Sequence, residues 1–334
     1  RECAALFEKA EDRALQGRAL AIQAQHIVEP LEREQIMRQS LTILQREKSY
    51  HELSYILTNL AQHLAHTKGA YREASFLANE AVTLERQKGS LTNLSDRLIL
   101  QGNILLYQGQ LEAAEACFLE VLDIGEKAYP GHHISSLNNL VYLAFSQGRT
   151  KEAKAYLSKV LEMSKNQNDI WSLTNYFDVF GYFTLVTDHP DDAFRRYKKA
   201  LACLNQLKNV NLEIAWFKLH CLNHFGRLCL EQGDKVAAQQ HLLKALRLAQ
   251  TWQFGPAILH VLPNFAALYL NQDKPREARR LLEIALHDDV SMFQTRDAAK
   301  RLFGALPQNL DEPEFKEVGI EAIVTDLLAK TGPT

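Results

Sequence analysis

One pattern of spaced residues recurs along this chain and limits what it can fold into. In its clearest copy, from Gly102 to Val121, a second glycine follows the first after seven residues, at Gly109. Ala114, Phe118 and Val121 come next, at spacings that share one face of a helix. A small residue allows close contact between helices, and glycine suits a turn after a helix. The pattern therefore predicts a helical hairpin, two helices joined by a short turn.

The same order of a turn residue, an alanine and two further packing positions returns along most of the chain. If the packing alanine is taken as the marker, successive copies lie 40, 39, 40, 45 and 40 residues apart. A period of this length predicts stacked helical repeats that share one elongated core. The six marker residues are Ala74, Ala114, Ala153, Ala193, Ala238 and Ala278.

The order of residues within a copy resembles the tetratricopeptide repeat family, whose pattern is small, large, turn, and then alanine, large, alanine. The copy that follows it most closely contains Phe225-Gly226, Gly233, Ala238, Leu242 and Ala245. A period near 40 residues favours the long-repeat form, because the common period is about 34. The resemblance implies an all-α fold, an α-solenoid in which helical hairpins form a right-handed superhelix.

The pattern also predicts how the chain is organised. Residues 1–294 are expected to form the repeat array, with residues 1–49 as degenerate or truncated repeats and residues 50–294 as six regular ones. Residues 295–334 are expected to form capping helices, because the last repeat of a solenoid exposes an apolar face. The end of the chain resembles the C-terminal arrays of bacterial STAND signalling ATPases, including LuxR-type and maltose-activator-like regulators. This implies that the chain is one end of a longer protein.

Composition and motifs exclude several function classes. A formal charge of −2 and a pI near 6.7 give no basic surface for direct nucleic-acid binding. No apolar run is long enough for a membrane span, and no phosphate-binding loop or serine-hydrolase motif occurs. Five scattered cysteines without CxxC spacing suit a reduced compartment. We therefore expect a cytoplasmic protein that is not an enzyme and has no cofactor.

Three clusters resemble metal sites but have simpler interpretations. His220 and His224 lie one helical turn apart, with Cys221 beside them. They are interpreted as residues that line a groove, with Cys221 in the core. His132-His133 follows a Pro-Gly sequence and is interpreted as a solvated linker. Acids favour the start of a helix, which explains the third cluster, Asp188, Asp191 and Asp192. No metal site is expected.

The first helix of each hairpin carries the candidate binding residues. In tetratricopeptide arrays the first helices line the concave face, and polar and aromatic residues recur on them here. Asparagine disfavours helix interiors, so its amide is expected to have a use. The candidates for ligand or partner binding are Asn138, Asn139, Tyr142, Asp178, Tyr182, His220, Asn223 and Arg227. The same stripe continues with Asn59, His63, Asn175, His224, His260 and Asn264.

Two uses of these amides remain open. They can bind the backbone of a peptide or the hydroxyls of a small ligand, or they can bridge neighbouring repeats and set the pitch of the superhelix. The leading hypothesis is a sensor or protein-interaction module of a larger bacterial signalling or transcription-regulating ATPase. It would bind a peptide, protein or small effector in the concave groove and contact the upstream domains of the same protein. The alternative is a free-standing scaffold that joins partner proteins.

Overall fold

A computed structural model describes residues 12–27, 29–125, 130–164, 190–206, 211–307 and 320–329. Within these ranges the regular elements are helices, and no strand is present. The first eight helices are α1 (Arg13–Ala24), α2 (Pro30–Arg46), α3 (Tyr50–His63), α4 (Tyr71–Lys88), α5 (Leu91–Tyr107), α6 (Leu111–Ile124), α7 (Pro130–Ser146) and α8 (Thr150–Ser164). The others are α9 (Pro190–Gln206), α10 (Leu212–Glu231), α11 (Lys235–Thr251), α12 (Gly255–Leu270), α13 (Pro275–His287), α14 (Phe293–Phe303) and α15 (Ile320–Ala329).

Neighbouring helices form hairpins, and the hairpins stack. α5 packs against α6, α7 against α8, α10 against α11, and α12 against α13. Where both helices are described, the second helix of a hairpin also packs against the first helix of the next, as α4 does with α5 and α11 with α12. This arrangement confirms the all-α helical solenoid predicted from the repeated pattern. No helix in the described ranges is both long and apolar enough to cross a bilayer.

The small residue of a hairpin lies directly against the large residue of its second helix. A Cβ atom added to Gly102 would lie 2.6 Å from the Phe118 ring, and one added to Gly226 would lie 2.7 Å from Leu242. Phe118 and Leu242 are completely buried. The recurring spacing in the sequence therefore encodes one packing contact, in which a missing side chain on the first helix makes room for a large one on the second.

The first hairpin, predicted to be degenerate, has the same contact. The sequence pattern predicts its two helices at Gly17 to Val28 and Leu31 to Gln45. α2 agrees within one residue at each end, whereas α1 begins and ends four residues earlier than predicted. A Cβ atom on Gly17 would lie 2.8 Å from the side chain of Leu44. The hydroxyl of Ser40 also donates a hydrogen bond of 2.6 Å to the Gly17 carbonyl. The hairpin predicted to be degenerate therefore has the same packing contact as the regular hairpins.

One sequence-based expectation differs from the structure, and another falls on side chains that the structure does not describe. The prediction of a solvated linker at His132-His133 is wrong, because α7 begins at Pro130 and includes both histidines. Proline is well tolerated in the first helical turn, where its missing N–H would have no partner. The acidic cluster at Asp188, Asp191 and Asp192 lies outside the residues whose side chains the structure describes.

We expect Gly226→Ala to destabilise the chain by about 1–3 kcal/mol, because the added methyl group overpacks the contact with Leu242. Gly304→Ala is the matched control. Gly304 has ordinary right-handed backbone angles, and the nearest atom to an added Cβ there is 3.6 Å away. Chemical denaturation of both variants checks this. Equal midpoints would show that the small residue has no packing role.

His63, predicted to face the groove, is instead part of a buried polar cluster. Its side chain is completely buried, and its Nδ1 lies 3.3 Å from a guanidinium nitrogen of Arg33, which is also buried. The Arg33 Nε donates a 2.7 Å hydrogen bond to the Ile27 carbonyl, and Glu34 forms ion pairs with Lys68 and Arg38. Burial, reinforced by the Arg33 charge, lowers the pKa of His63 to about 4.

This pKa predicts a loss of stability in acid. The folded-state pKa of His63 lies below the unfolded value of about 6.5, so the unfolded chain gains a proton first as the pH falls. The free energy of unfolding should drop between pH 6.5 and 4, with a loss from His63 of about 2 kcal/mol at pH 5. When the free energy of unfolding is measured by urea denaturation across this pH range, its slope against pH should be shallower in His63→Gln than in the original chain. The exposed control His26→Gln should keep the original slope.

Candidate functional site

The two ends of the array touch, and this contact turns the concave groove into a chamber. After α3 the chain makes a π-helical turn, Leu64–Lys68, and then reverses at Gly69, whose φ is 63°. This turn packs against α12. The Tyr71 hydroxyl donates a 2.9 Å hydrogen bond to the Val290 carbonyl, which lies in the loop between α13 and α14. The first regular hairpin therefore closes onto the last one.

Aromatic rings fill the centre of this contact. The His66 ring stacks on the Trp216 indole, with ring centroids 3.8 Å apart and planes 4° from parallel. Phe254 meets the same indole edge-on at 5.2 Å, and Tyr107 lies 6.3 Å from it. Burial lowers the pKa of His66 to about 3, so its imidazole is neutral near pH 7. A neutral ring can stack without the cost of burying a charge.

Glycine is required where the ends meet. A Cβ atom on Gly69 would lie 2.4 Å from Val290 Cβ, and one on Gly109 would lie 2.9 Å from the Phe293 ring. Both glycines also have positive φ angles, which L-residues with side chains rarely adopt. The turn glycine of the repeat pattern therefore has two roles at these positions: it ends a helix and it allows the far end of the array to approach.

Gly69→Ala and Gly89→Ala separate these two roles. Both glycines have positive φ, but nothing lies within 4 Å of an added Cβ at Gly89. Each variant should lose about 1–2 kcal/mol from backbone strain. Gly69→Ala should lose about 1–3 kcal/mol more, because its methyl group would overlap Val290. Hydrogen exchange should also show faster opening of residues 64–71 in Gly69→Ala only. Equal protection in the two variants would contradict the closure.

The chamber is a cavity of about 310 Å³ lined by α3, the π turn, α5, α7, α10, α12 and α14. A second cavity of about 270 Å³, between α1, α2, α3 and α5, adjoins it and shares Gln62, Asn103 and Glu213. The lining residues of the chamber include Gln62, His66, Asn103, Tyr107, Ser135, Asn138, Asn139, Tyr142, Glu213, Trp216, Phe217, His220, Asn223, His224, Arg227, His260, Pro263, Asn264, Met292, Gln294 and Arg301.

The structure brings six of the eight predicted binding residues to this one cavity. Asp178 and Tyr182 lie outside the described residues, as does Asn175. Asn59 lines the adjoining cavity. The six are Asn138, Asn139, Tyr142, His220, Asn223 and Arg227, and the lining also includes His224, His260 and Asn264 from the same stripe.

Two of the asparagine amides bridge neighbouring repeats. Asn139 Nδ2 donates a 3.0 Å hydrogen bond to Asn103 Oδ1, which joins α7 to α5. Asn264 Nδ2 donates a 2.8 Å hydrogen bond to Asn223 Oδ1, which joins α12 to α10. These contacts correspond to the second use of the amides that the sequence left open. They show that Asn139 and Asn223 contribute to the alignment of adjacent hairpins.

Asn138 differs from these bridging residues. Its side chain is buried at the wall of the chamber, and its Oδ1 has no hydrogen-bond partner among the described residues. The Nε2 of His220 is likewise buried without such a partner. A buried polar atom left unpaired costs about 1–3 kcal/mol, so each such atom in a native fold calls for a physical reason.

The junction of the two cavities is charged. The Glu213 carboxylate is exposed to solvent there but is enclosed by protein walls, and this enclosure together with the nearby Asp96 raises its pKa to about 7. Arg227 pairs with Glu231 at 3.1 Å, and Arg301 pairs with Asp297. The chamber therefore combines aromatic rings, amides, imidazoles and guanidinium groups, and Glu213 can change its charge near neutral pH.

Sequence reasoning missed the aromatic part of this site. His66 lies in the π turn after α3, outside the regular helical spacing. Trp216 lies one helical turn before His220 on the same face of α10, but the stripe of polar candidates was begun at His220. The histidine cluster in the structure also differs from the cluster of His220, Cys221 and His224 that the sequence indicated. Cys221 is completely buried in the core with Ala200 and Leu204, and His260 of α12 joins His220 and His224 instead.

Comparison with known proteins gives a partial family match and a shared architecture. Residues 96–166 match the tetratricopeptide repeat family. No curated protein matches the sequence. Among solved structures, a STAND signal transduction ATPase with a tetratricopeptide repeat sensor from Pyrococcus horikoshii has a TM-score of 0.50 and 14% identity. The match covers 81% of this chain and 41% of that one. This level of likeness shows the fold alone.

Two further structures are similar to this chain. Yeast Tom70 has a TM-score of 0.48 and 16% identity, and the match covers 90% of this chain and 57% of that one. A tetratricopeptide repeat protein from Parabacteroides merdae has a TM-score of 0.47 and 15% identity, and the match covers 86% of this chain and 98% of that one.

Proposed function

Because this chain carries tetratricopeptide repeats, with residues 96–166 matching that family, we propose that it is a non-catalytic sensor module. It binds a compact ligand, a small effector or a short peptide segment, in the chamber that closure creates. Upstream domains of a larger signalling protein then respond to the bound ligand.

The observation that carries this proposal is the contact between the two ends of the array. An open concave groove accommodates a long peptide or a helix of a partner, whereas the contact between the π turn and α12 narrows this groove to a partly enclosed chamber. Its volume of about 310 Å³ lies at the lower end of the range of about 300–1,000 Å³ for small-molecule sites. The space favours a ligand the size of an amino acid, a nucleoside or a few peptide residues.

The chamber walls indicate the chemistry of that ligand. The unpaired Oδ1 of Asn138 accepts a hydrogen bond, so the ligand carries an N–H or O–H group. Tyr142 and Phe217 are half-buried in the lining and provide aromatic surface for a flat group. Arg227 and Arg301 lie in the same lining and suit a carboxylate or phosphate. A compact molecule with a donor, a ring and a negative group matches all of these features.

A signalling role follows from where the chamber lies. Its walls belong to both ends of the array, so a ligand that contacts both ends stabilises the closed form relative to an open one. A change in closure alters the position of the terminal helices, which can be read by another domain. The Pyrococcus horikoshii protein combines a STAND ATPase with a tetratricopeptide sensor. We extend that arrangement to this chain as part of the proposal.

The proposal is tested by thermal-shift measurements with a panel of amino acids, nucleosides, sugars and short peptides. At least one class should raise the melting temperature of the full chain, because a ligand that binds only the folded state stabilises it. Asn138→Ala should remove the shift. Its stability without ligand should stay the same or rise, since the substitution deletes a buried unpaired oxygen.

Two control variants make the test specific. Asn223→Ala should lower the free energy of unfolding by about 1–3 kcal/mol even without ligand, because Asn264 loses its 2.8 Å acceptor. Its melting temperature should fall accordingly. Phe76→Ala removes an exposed ring on α4 and should keep both stability and the ligand shift. A shift that persists in Asn138→Ala but disappears in Phe76→Ala would place binding on the outer surface and favour the scaffold alternative.

A further inference from the structure

Three histidines from two neighbouring repeats meet in the chamber. His220 and His224 lie one turn apart on α10, and His260 lies on α12. One ring nitrogen of each can be chosen so that the three atoms all lie within 4.8 Å of one another. The ring centroids of His220 and His260 are 5.1 Å apart, and those of His224 lie 6.3 and 6.5 Å from the other two.

Contacts between the two helices hold this arrangement in place. Asn223 lies between the two histidines of α10 in sequence, and its Nδ2 donates a 3.4 Å hydrogen bond to the His260 carbonyl. Asn264, one turn after His260, donates to Asn223 Oδ1 in return. The backbone that carries the third histidine is therefore attached to the helix that carries the first two.

A buried hydroxyl orients the third ring. His260 Nδ1 lies 2.9 Å from the Oγ1 of Thr295, which is completely buried at the start of α14. When Nδ1–H donates to this oxygen, the proton is held on Nδ1 and Nε2 keeps its lone pair. Metal-binding histidines typically have such a partner on the nitrogen that does not bind the metal. Thr295 therefore occupies the position of an orienting group.

We propose that His220, His224 and His260 together bind one divalent transition-metal ion, with Zn²⁺ as the best match. Three imidazole nitrogens are a known zinc ligand set, and the fourth position is left for water or a ligand in the chamber. Zn–N distances of about 2.0–2.1 Å place tetrahedral nitrogen ligands about 3.3 Å apart. A shift of about 1 Å per ring brings the three nitrogens to that spacing.

An unpaired ring nitrogen adds to this geometry. The buried Nε2 of His220 has no hydrogen-bond partner among the described residues, so it is available as a ligand. The histidine cluster is thus consistent with metal binding in geometry and in orientation.

The test uses the full chain, treated with a chelator and dialysed, with Zn²⁺ and Co²⁺ salts as probes. Calorimetric titration should show one saturable site per chain, and Zn²⁺ should raise the melting temperature. The visible spectrum of the Co²⁺ protein should show the bands of a low-coordinate ion with nitrogen ligands. These measurements need no ligand in the chamber, so the metal site can be refuted while the proposed sensor function stands.

Variants assign the site to these residues. His224→Gln and His260→Gln should each weaken Zn²⁺ binding by about 100-fold or more, because one of three ligands is lost. Thr295→Val should keep one site with the same Co²⁺ spectrum but weaken binding by about 10-fold. The control His287→Gln removes an exposed histidine from α13 and should bind as the original chain does. Circular dichroism confirms that each variant is folded.

Three results would overturn the proposal. One is the absence of saturable binding by the original chain. Another is equal affinity in His224→Gln, His260→Gln and the His287→Gln control. The third is a sulfur-to-cobalt charge-transfer band, which would assign the metal to cysteines such as Cys229 rather than to the three imidazoles.

Discussion

The stacking of His66 on Trp216 is the contact on which the chamber depends. It lies where the π turn after α3 meets the helices of the far end, and Phe254 and Tyr107 surround it. Without this contact the chain would still be a solenoid, but its concave side would be an open groove and these rings would face water. Burial of neutral aromatic surface therefore favours the closed form, and closure defines the size of the site.

The polar residues of the concave face divide into two groups once the ends meet. The side-chain amides of Asn139 and Asn223 form hydrogen bonds between repeats. These bonds help to set the orientation of the hairpins that they join. Asn138 is buried with an unpaired oxygen, and His220 with an unpaired nitrogen, among the described residues. The first group stabilises the fold, and the second group costs stability in the absence of a ligand. Asparagine residues of the same stripe therefore have two physical roles: some join repeats, and Asn138 presents an unpaired oxygen to the chamber.

A buried polar cluster lies close to the same contact. His63 is the last residue of α3, just before the π turn, and it is completely buried together with Arg33 of α2. The guanidinium of Arg33 lies 5.5 Å from the Trp252 ring at the far end of the array. Burial lowers the pKa of Arg33 to about 10. The closure therefore combines stacked rings with a cation held over an aromatic face, an interaction that strengthens when water is excluded.

The sequence by itself determined the hairpins, because the contact between Gly102 and Phe118, or Gly226 and Leu242, depends only on residues that are close along the chain and on the period of a helix. It also indicated which helices face inward, and so most of the chamber lining. Only the tertiary structure decided that His66 meets Trp216 and that His260 joins His220 and His224. Those meetings depend on the small rotation between successive repeats, which accumulates along the solenoid and leaves no local pattern in the sequence.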